Sequence, residues 1–496
     1  MYSPEAGPPL EPPAPELVEA GFAFELAEAS LFHRPLGLAD LAHALVLREA
    51  GVIPAEPASR LIAVLLDAYE LPAEQFPYDP AFGEIYNCRE RYFVDRLGPE
   101  AGWLHAGRPR REAVRVALRL LLRHRIAGLV ADTTDFVDAV CDQANRHAET
   151  LLPDQTYLQH AQPSTFGHYV LHFAYPAQRA AERLAESLAV VNLSPGGAGC
   201  VNGSRLALSR DRLAALLGFD GIIEHTRDAM WQTDGLMDLV ATATTLVQNL
   251  SNLAEDLEIW DSQEFDFIAL SGPYTRSSVL MPQKRNPYSL GVVRGSAGLL
   301  IGRLTGLLAV GKTPSARSDA LIFAYGETPR ALDVAARATR LMRGVIATLE
   351  VNAARMEEVL LEGFSQATDL TEYVMQACQL DYRSAYHAVG DVVRQASKRG
   401  LRGIDITAAM LDEAARARFG HRLALRDEEL RDVLDPRAIV YSRAGQGGAA
   451  PDVVRAMAAR CRAQADDLRT RVEQAADAFG QAESDLLDYA REISRG

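Results

Sequence analysis

The sequence predicts an all-α protein built around an elongated central helical bundle, and three observations carry that prediction. Helical periodicity dominates the chain, and strand-like alternation is scarce. Leu236, Leu239, Ala243, Leu246, Leu250, Leu253 and Leu257 recur in steps of three and four, a heptad seam of the kind used in bundle packing. A second run, from about Arg111 to Arg146, puts Leu118, Leu122, Ile126, Leu129, Thr133, Phe136 and Val140 on one face. Helices this long are rare in compact domains and usual in elongated bundles.

Taken in order, the chain opens on MYSPEAGPPLEPPAPE. This stretch is acidic and Pro-rich, without the basic and apolar regions of a signal peptide, so residues 1–16 read as a disordered leader. Residues 17–111 form a smaller N-terminal helical domain. The central bundle takes residues 112–362, where Tyr288–Leu308 and Pro329–Leu349 supply two further helices. Gly/Pro-rich breaks at 193–204, 270–287 and 442–451 mark connections, and loops of this length are uncommon unless they bind or catalyse. Shorter helical segments follow Gly363, broken by SKRGLRGID, which places a C-terminal helical domain at 363–496. The leucine seam also predicts association between subunits, since it would leave an apolar stripe on a lone chain.

Composition narrows the function. Lys+Arg number 51 against Asp+Glu 66, a net charge of −15, which argues against nucleic-acid and membrane-surface binding but allows a local cationic pocket. The cysteines Cys88, Cys141, Cys200, Cys378 and Cys461 are scattered, with no CxxC pair and no histidine cluster at metal spacing. No metal or other cofactor is expected. No apolar run is read as long enough to span a bilayer. The expectation is a soluble cytoplasmic protein.

One stretch stands apart from this helical background: SSVLMPQKRNP, residues 277–287. Asn286 followed by Pro287 predicts a helix start, with asparagine as the cap. Ser278, Lys284 and Asn286 then lie at a helix mouth, where the macrodipole and free N–H groups favour an anion. A capped helix beside a polar loop is the plainer alternative, but a hydroxyl and an ammonium in the same short loop favour binding. GLLAVGKT (306–313) satisfies a phosphate-loop pattern, yet a helix precedes it where the mechanism needs a strand, so it reads as a helix end.

Taken together, these stretches resemble argininosuccinate lyase within the aspartase/fumarase superfamily. SSVLMPQKRNP is similar to the superfamily's mobile loop, TYLQHAQP (156–163) to its Thr-His-Leu-Gln-x-Ala-Gln-Pro stretch, and LHAGRPRRE (104–112) to Leu-His-Thr-Gly-Arg-Ser-Arg-Asn-Asp. ATDLTEYV (367–374) and SRAGQGGAAP resemble the C-terminal region of argininosuccinate lyase. The similarity runs from about Leu31 to the end. It implies a homotetramer with a twenty-helix core, active sites shared between subunits, and a dicarboxylate substrate from which fumarate is released. It also implies Ser278 as the base, with Lys284, Asn286 and the helix mouth stabilising the charge that develops on the carboxylate. Thr156 and Gln159 match positions that face substrate, and His105 matches a histidine that orients a loop.

Departures from the family pattern fall together. Tyr157 stands where the family has histidine, and Gly291 where that histidine's glutamate partner belongs. The pair is tied to protonating the leaving group, a task worth about 10²–10⁴ in rate. Tyr157 is read either as a replacement acid or as a packed aromatic. His160 replaces an arginine, as a substrate contact or a structural residue. Ser-Arg-Asn becomes Pro109-Arg110-Arg111, two cations able to clamp a carboxylate, or the solvated start of a helix. Tyr-Asn-Lys-Asp-Leu-Gln-Glu-Asp-Lys, which contacts the arginine end, becomes ALIFAYGET (320–328). The expected activity is β-elimination from a substituted succinate with a weakly basic or already protonated nitrogen leaving group, in a specialised metabolic setting. The alternatives are argininosuccinate lyase with a rebuilt acid step and a non-catalytic, crystallin-like tetramer. The retained Ser278, Lys284 and Asn286 argue against the last.

Overall fold

A computed structural model describes residues 12–495, apart from the side chains of residues 319 and 320. Most of the expected leader lies outside the described residues, and its end at Pro15–Leu17 opens a short helix. The principal helices are α1 (Ala29–Glu49), α2 (Ala55–Glu70), α3 (Ile85–Leu97), α4 (Arg110–Arg146), α5 (Ala174–Val191), α6 (Thr226–Trp231), α7 (Asp234–Trp260), α8 (Tyr288–Gly311) and α9 (Asp319–Ala347). They are followed by α10 (Ala367–Cys378), α11 (Tyr382–Lys398), α12 (Ala408–Phe419), α13 (Asp427–Leu434) and α14 (Pro451–Arg495). The strands described pair only in twos, and the fold is all-α with an elongated bundle, as expected.

The bundle is built from α4, α5, α7, α8, α9 and α14 around one large core. α4 spans 37 residues, about 55 Å at 1.5 Å per residue. All seven of its face residues named above are buried. The heptad seam behaves differently from expectation. Leu239, Ala243, Leu246, Leu253 and Leu257 are fully buried and Leu236 and Leu250 nearly so, because α7 packs on α5, α8 and α9 of its own chain. The seam therefore builds the chain's own core and leaves no apolar stripe for a partner.

The apolar surface lies on the next helix. α8 is long and apolar enough to cross a bilayer by length and composition, against the expectation that no run would be, and only 22% of that window is buried. Its Arg294 pairs with Glu258 at 2.5 Å and its Arg303 with Glu327 at 2.5 Å. One side packs on α7 and α9, while Val292, Leu299, Ile301 and Leu308 are exposed. The Gly-Lys-Thr stretch at its end is confirmed as a helix terminus, since α8 runs through Gly306 to Gly311.

One further boundary differs. The helix expected from Pro329 begins at Asp319 and carries Pro329 inside it. An internal proline loses a hydrogen bond and costs about 3 kcal/mol in isolation. Buried Tyr325, Ala331 and Leu332 on either side hold the helix through it. Within residues 363–496 a separate apolar core runs from Leu370 to Leu434. α14 leaves it, contributes Val454 through Phe479 to the large core, and adds Leu486 and Ala490 to the N-terminal core around α1 and α2.

Candidate active site

The expected site residues fall into three groups, and no hydrogen bond or ion pair among the described residues joins one group to another. The first group is held by two buried anchors at the start of α4. Asp40 binds both Arg89 (2.8 Å) and Arg108 (2.6 Å), all three nearly inaccessible to solvent. Glu112 accepts the backbone N–H groups of Gly197 (2.7 Å) and Gly199 (2.6 Å). Arg110 and Arg111 project from between these anchors. Arg110 pairs with Glu84 at 3.2 Å and donates to Asn87 Oδ1 at 2.9 Å, while Arg111 lies 4.0 Å from Glu25. A substrate carboxylate must therefore compete with protein carboxylates for both guanidiniums.

Around these arginines lies a narrow pocket bounded by Glu25, Glu28, Glu84, Phe32 and Tyr325. Burial pushes Glu28 up to about 7, against the pull of its ion pair with Arg330. Burial and the nearby Glu84 carboxylate raise Glu25, with Arg111 and Arg110 opposing. The buried Tyr325 hydroxyl has no hydrogen-bond partner among the described residues. Each of the three carboxylates faces a guanidinium, Glu84 that of Arg110, Glu25 that of Arg111 and Glu28 that of Arg330. Sequence reasoning missed Glu25, Glu28, Glu84 and Tyr325. The signal was present in Glu25 and Glu28, one helical turn apart in the otherwise apolar FAFELAEASLF.

The second group sits on a hairpin, β1 (Leu151–Thr156) and β2 (Gln159–Thr165), in which Thr156 faces Gln159 and Gln155 faces His160. Tyr157 and Leu158 form the two-residue turn with φ of 55° and 57°. Such turns demand positive φ at both positions and normally use asparagine and glycine. A tyrosine and a leucine there carry backbone strain, roughly 1–2 kcal/mol per residue. Tyr157 is 98% exposed, so the packed-aromatic reading fails within this chain. Thr156, Gln159 and His160 are exposed as well. His168 donates from Nε2 to the Gly447 carbonyl and so accepts at Nδ1 from the Ser164 hydroxyl, His172 contacts the Tyr169 carbonyl, and no metal-binding cluster exists among the described residues.

The third group occupies a second hairpin, β3 (Arg276–Ser277) paired with β4 (Arg285–Asn286), just before α8. Ser278 Oγ accepts the backbone N–H groups of Met281 (3.0 Å) and Leu280 (3.3 Å). Lys284 closes the loop through Ser278 N–H to Lys284 O at 3.4 Å and Lys284 N–H to Met281 O at 3.0 Å. Two amide donors on one hydroxyl oxygen stabilise it as an oxyanion, which lowers the cost of deprotonating serine. Asn286 is not the helix cap expected. Its side chain donates to Arg276 O at 3.0 Å, and Pro287 occupies the cap position without a side-chain bond. The β3–β4 pairing requires Asn286 to remain extended, which overrides its capping preference. Val279 and Leu280 extend fully into solvent, and Gly291, in the first turn of α8, faces open space.

With this geometry in place, comparison with known proteins becomes informative. A lyase family model matches residues 22–302, and a model for the argininosuccinate lyase C-terminal region matches 364–441. The argininosuccinate lyase of Methanothrix thermoacetophila is 31% identical over 92% of both chains. That of Methanothermobacter thermautotrophicus is 32% identical over 84% of this chain and 89% of its own. Among solved structures, EDDS lyase in complex with formate superimposes with a TM-score of 0.87 at 28% identity, covering 98% of this chain and 97% of that one. An EDDS lyase variant with bound fumarate also gives 0.87, at 27% identity over 97% and 96%. The chain is a carbon–nitrogen lyase of the aspartase/fumarase superfamily. It belongs, more narrowly, to the argininosuccinate lyase-like family within it.

Proposed function

We propose that the protein eliminates a nitrogen group from a substituted succinate and releases fumarate, acting as a cytoplasmic homotetramer whose active sites are shared between subunits. The observation that carries this reading is the Ser278 oxygen held by two backbone amides beside Lys284 at the mouth of α8. Ser278 takes the proton next to the carboxylate, and Lys284 and Asn286 meet the negative charge that then develops. Thr156, Gln159, His160, Arg110 and Arg111 orient the substrate. The three groups lie on separate parts of one chain, which supports their meeting across subunits.

The nitrogen leaves either as a weak base or already protonated, because Tyr157 and Gly291 replace the family's acid pair. A role in specialised metabolism fits a leaving group other than arginine. Ser278→Ala should lower turnover by about 10²–10⁴-fold or more, with an unchanged melting temperature, when N-succinyl compounds are screened by fumarate absorbance. Retained turnover would remove Ser278 as the base. A second reading, argininosuccinate cleavage itself, is favoured by the relatives at 31–32% identity. The same assay with argininosuccinate decides between them.

A further inference from the structure

Beyond the pocket at Arg110 and Arg111 lies an open cleft that no step of the proposed elimination uses. Its walls come from α6 with the start of α7, and from the loop that links α8 to α9. Arg227 reaches across it to Ser315, donating to Oγ at 3.2 Å, the sole hydrogen bond of its side chain among the described residues. Arg317 lines the opposite wall and has no ion pair or hydrogen-bond partner among the described residues. His225 Nδ1 accepts the backbone N–H groups of Arg227 (3.2 Å) and Asp228 (3.4 Å), which leaves the proton on Nε2 as a further donor. Thr233 and Thr313 add hydroxyls, and Trp231 adds an indole face whose N–H is already bonded to Cys200 O.

The potential behind this wall is positive too. Arg115, buried on α4, donates to the carbonyls of Gln232 (2.6 Å) and Ala229 (3.3 Å) and has no ion pair among the described residues. Asp228 is the one carboxylate described in the cleft lining. Two unpaired guanidiniums, a third behind them and a ring N–H donor converge on this cleft in a chain of net charge −15. Guanidinium forks bind carboxylate and phosphate oxygens bidentately. Ala316 holds φ at 65° in the loop that presents Ser315 and Arg317, a conformation that costs a non-glycine residue energy.

We propose that this cleft is a binding site for a compact organic dianion, a dicarboxylate or a phosphate ester, gripped by Arg227 and Arg317 with Ser315 and His225 as hydrogen-bonding partners. Arg115 stands one helical turn from Arg111 along α4, so the site flanks the arginine pocket. The proposal does not depend on the lyase reading.

The test uses the intact protein and the fluorescence of Trp231 in the cleft wall. Glutarate and inorganic phosphate are titrated separately at constant ionic strength, with chloride as the filler ion. A saturable change is expected for at least one of them, and the ratio of their midpoints reports which oxyanion the site prefers. Arg227→Ala/Arg317→Ala should weaken the midpoint by about tenfold or more, as loss of charge-assisted hydrogen bonds requires. Arg383→Ala/Arg422→Ala, which removes the same charge from exposed positions of the C-terminal domain, should leave it unchanged. Asp228→Asn should tighten binding, because it removes the repelling carboxylate. A response that fails to saturate, persists in the Arg227/Arg317 variant, or falls equally in the charge-matched control would overturn the proposal.

Discussion

α7 and α8 pack against each other and are both strongly apolar, yet they use their side chains in opposite ways. Every seam leucine of α7 is buried inside its own chain, whereas Val292, Leu299, Ile301 and Leu308 of α8 face outward. Gly291, Gly295, Gly298, Gly302 and Gly306 on α8 add a track where an added Cβ would meet nothing within 4 Å. Small residues of this kind let another helix approach closely. The difference teaches that a clean heptad marks where the chain packs on itself. The face that the proposed assembly would use is marked instead by glycines and exposed apolar side chains. α8 also begins immediately after the Ser278 loop, so the same helix links the open face to the proposed chemistry.

The largest effect is expected from filling that glycine track. Gly302→Leu has open space in the single chain and removes a helix-weakening glycine, so the fold should hold or gain by about 0.5–1 kcal/mol. Assembly should nevertheless fail, and with it all turnover, if the sites form between chains. Light scattering combined with fumarate absorbance reads both. An active tetramer carrying Gly302→Leu would break the contrast between the two helices.

Next in size is truncation within the α7 seam. Leu246→Ala removes a fully buried side chain and should cost about 2–5 kcal/mol. The same change at exposed Leu299 should alter the stability of the dissociated chain by no more than about 0.5 kcal/mol. Urea denaturation at concentrations low enough to dissociate the assembly compares them directly. Equal costs would mean that α8 is as buried in one chain as α7.

The same contrast explains what was legible in the sequence. The seven-residue face of α4 reads correctly because periodicity reports burial, and α4 is buried along its length by its own chain. The α7 seam reads correctly as apolar but points to the wrong partner, since a heptad carries no label for which chain covers it. Pro329 reads as a start because local propensity cannot see the packing that carries α9 through it. Asn286 has the chemistry of a cap, but strand pairing with Arg276 claims its backbone. Of the candidate site, the Ser278 loop was legible as a motif, whereas the crowding of Glu25, Glu28 and Glu84 depends on contacts distant in sequence. The strained turn at Tyr157 and Leu158 is equally hidden, because neither residue type announces positive φ.

The smallest expected effect is the most discriminating. Tyr157 stands exposed on its hairpin turn and Gly291 lies open on the first turn of α8. Under the proposed shared site, a histidine and a glutamate at these positions would meet across two chains. Restoring them with Tyr157→His and Gly291→Glu should therefore leave the native elimination no faster. A general acid helps only when the departing atom would otherwise carry unfavourable negative charge, and the proposed leaving group does not. Either single change should be no better, since an ionisable group left without its partner between subunits adds an unsatisfied polar group. The kcat of the double variant on the identified substrate, set beside its rate on argininosuccinate, tests this. Acceleration of the native reaction, or a strong loss in Tyr157→Phe, would show that a proton is needed after all. The exposed tyrosine hydroxyl would then be the group that delivers it, held out by its strained turn.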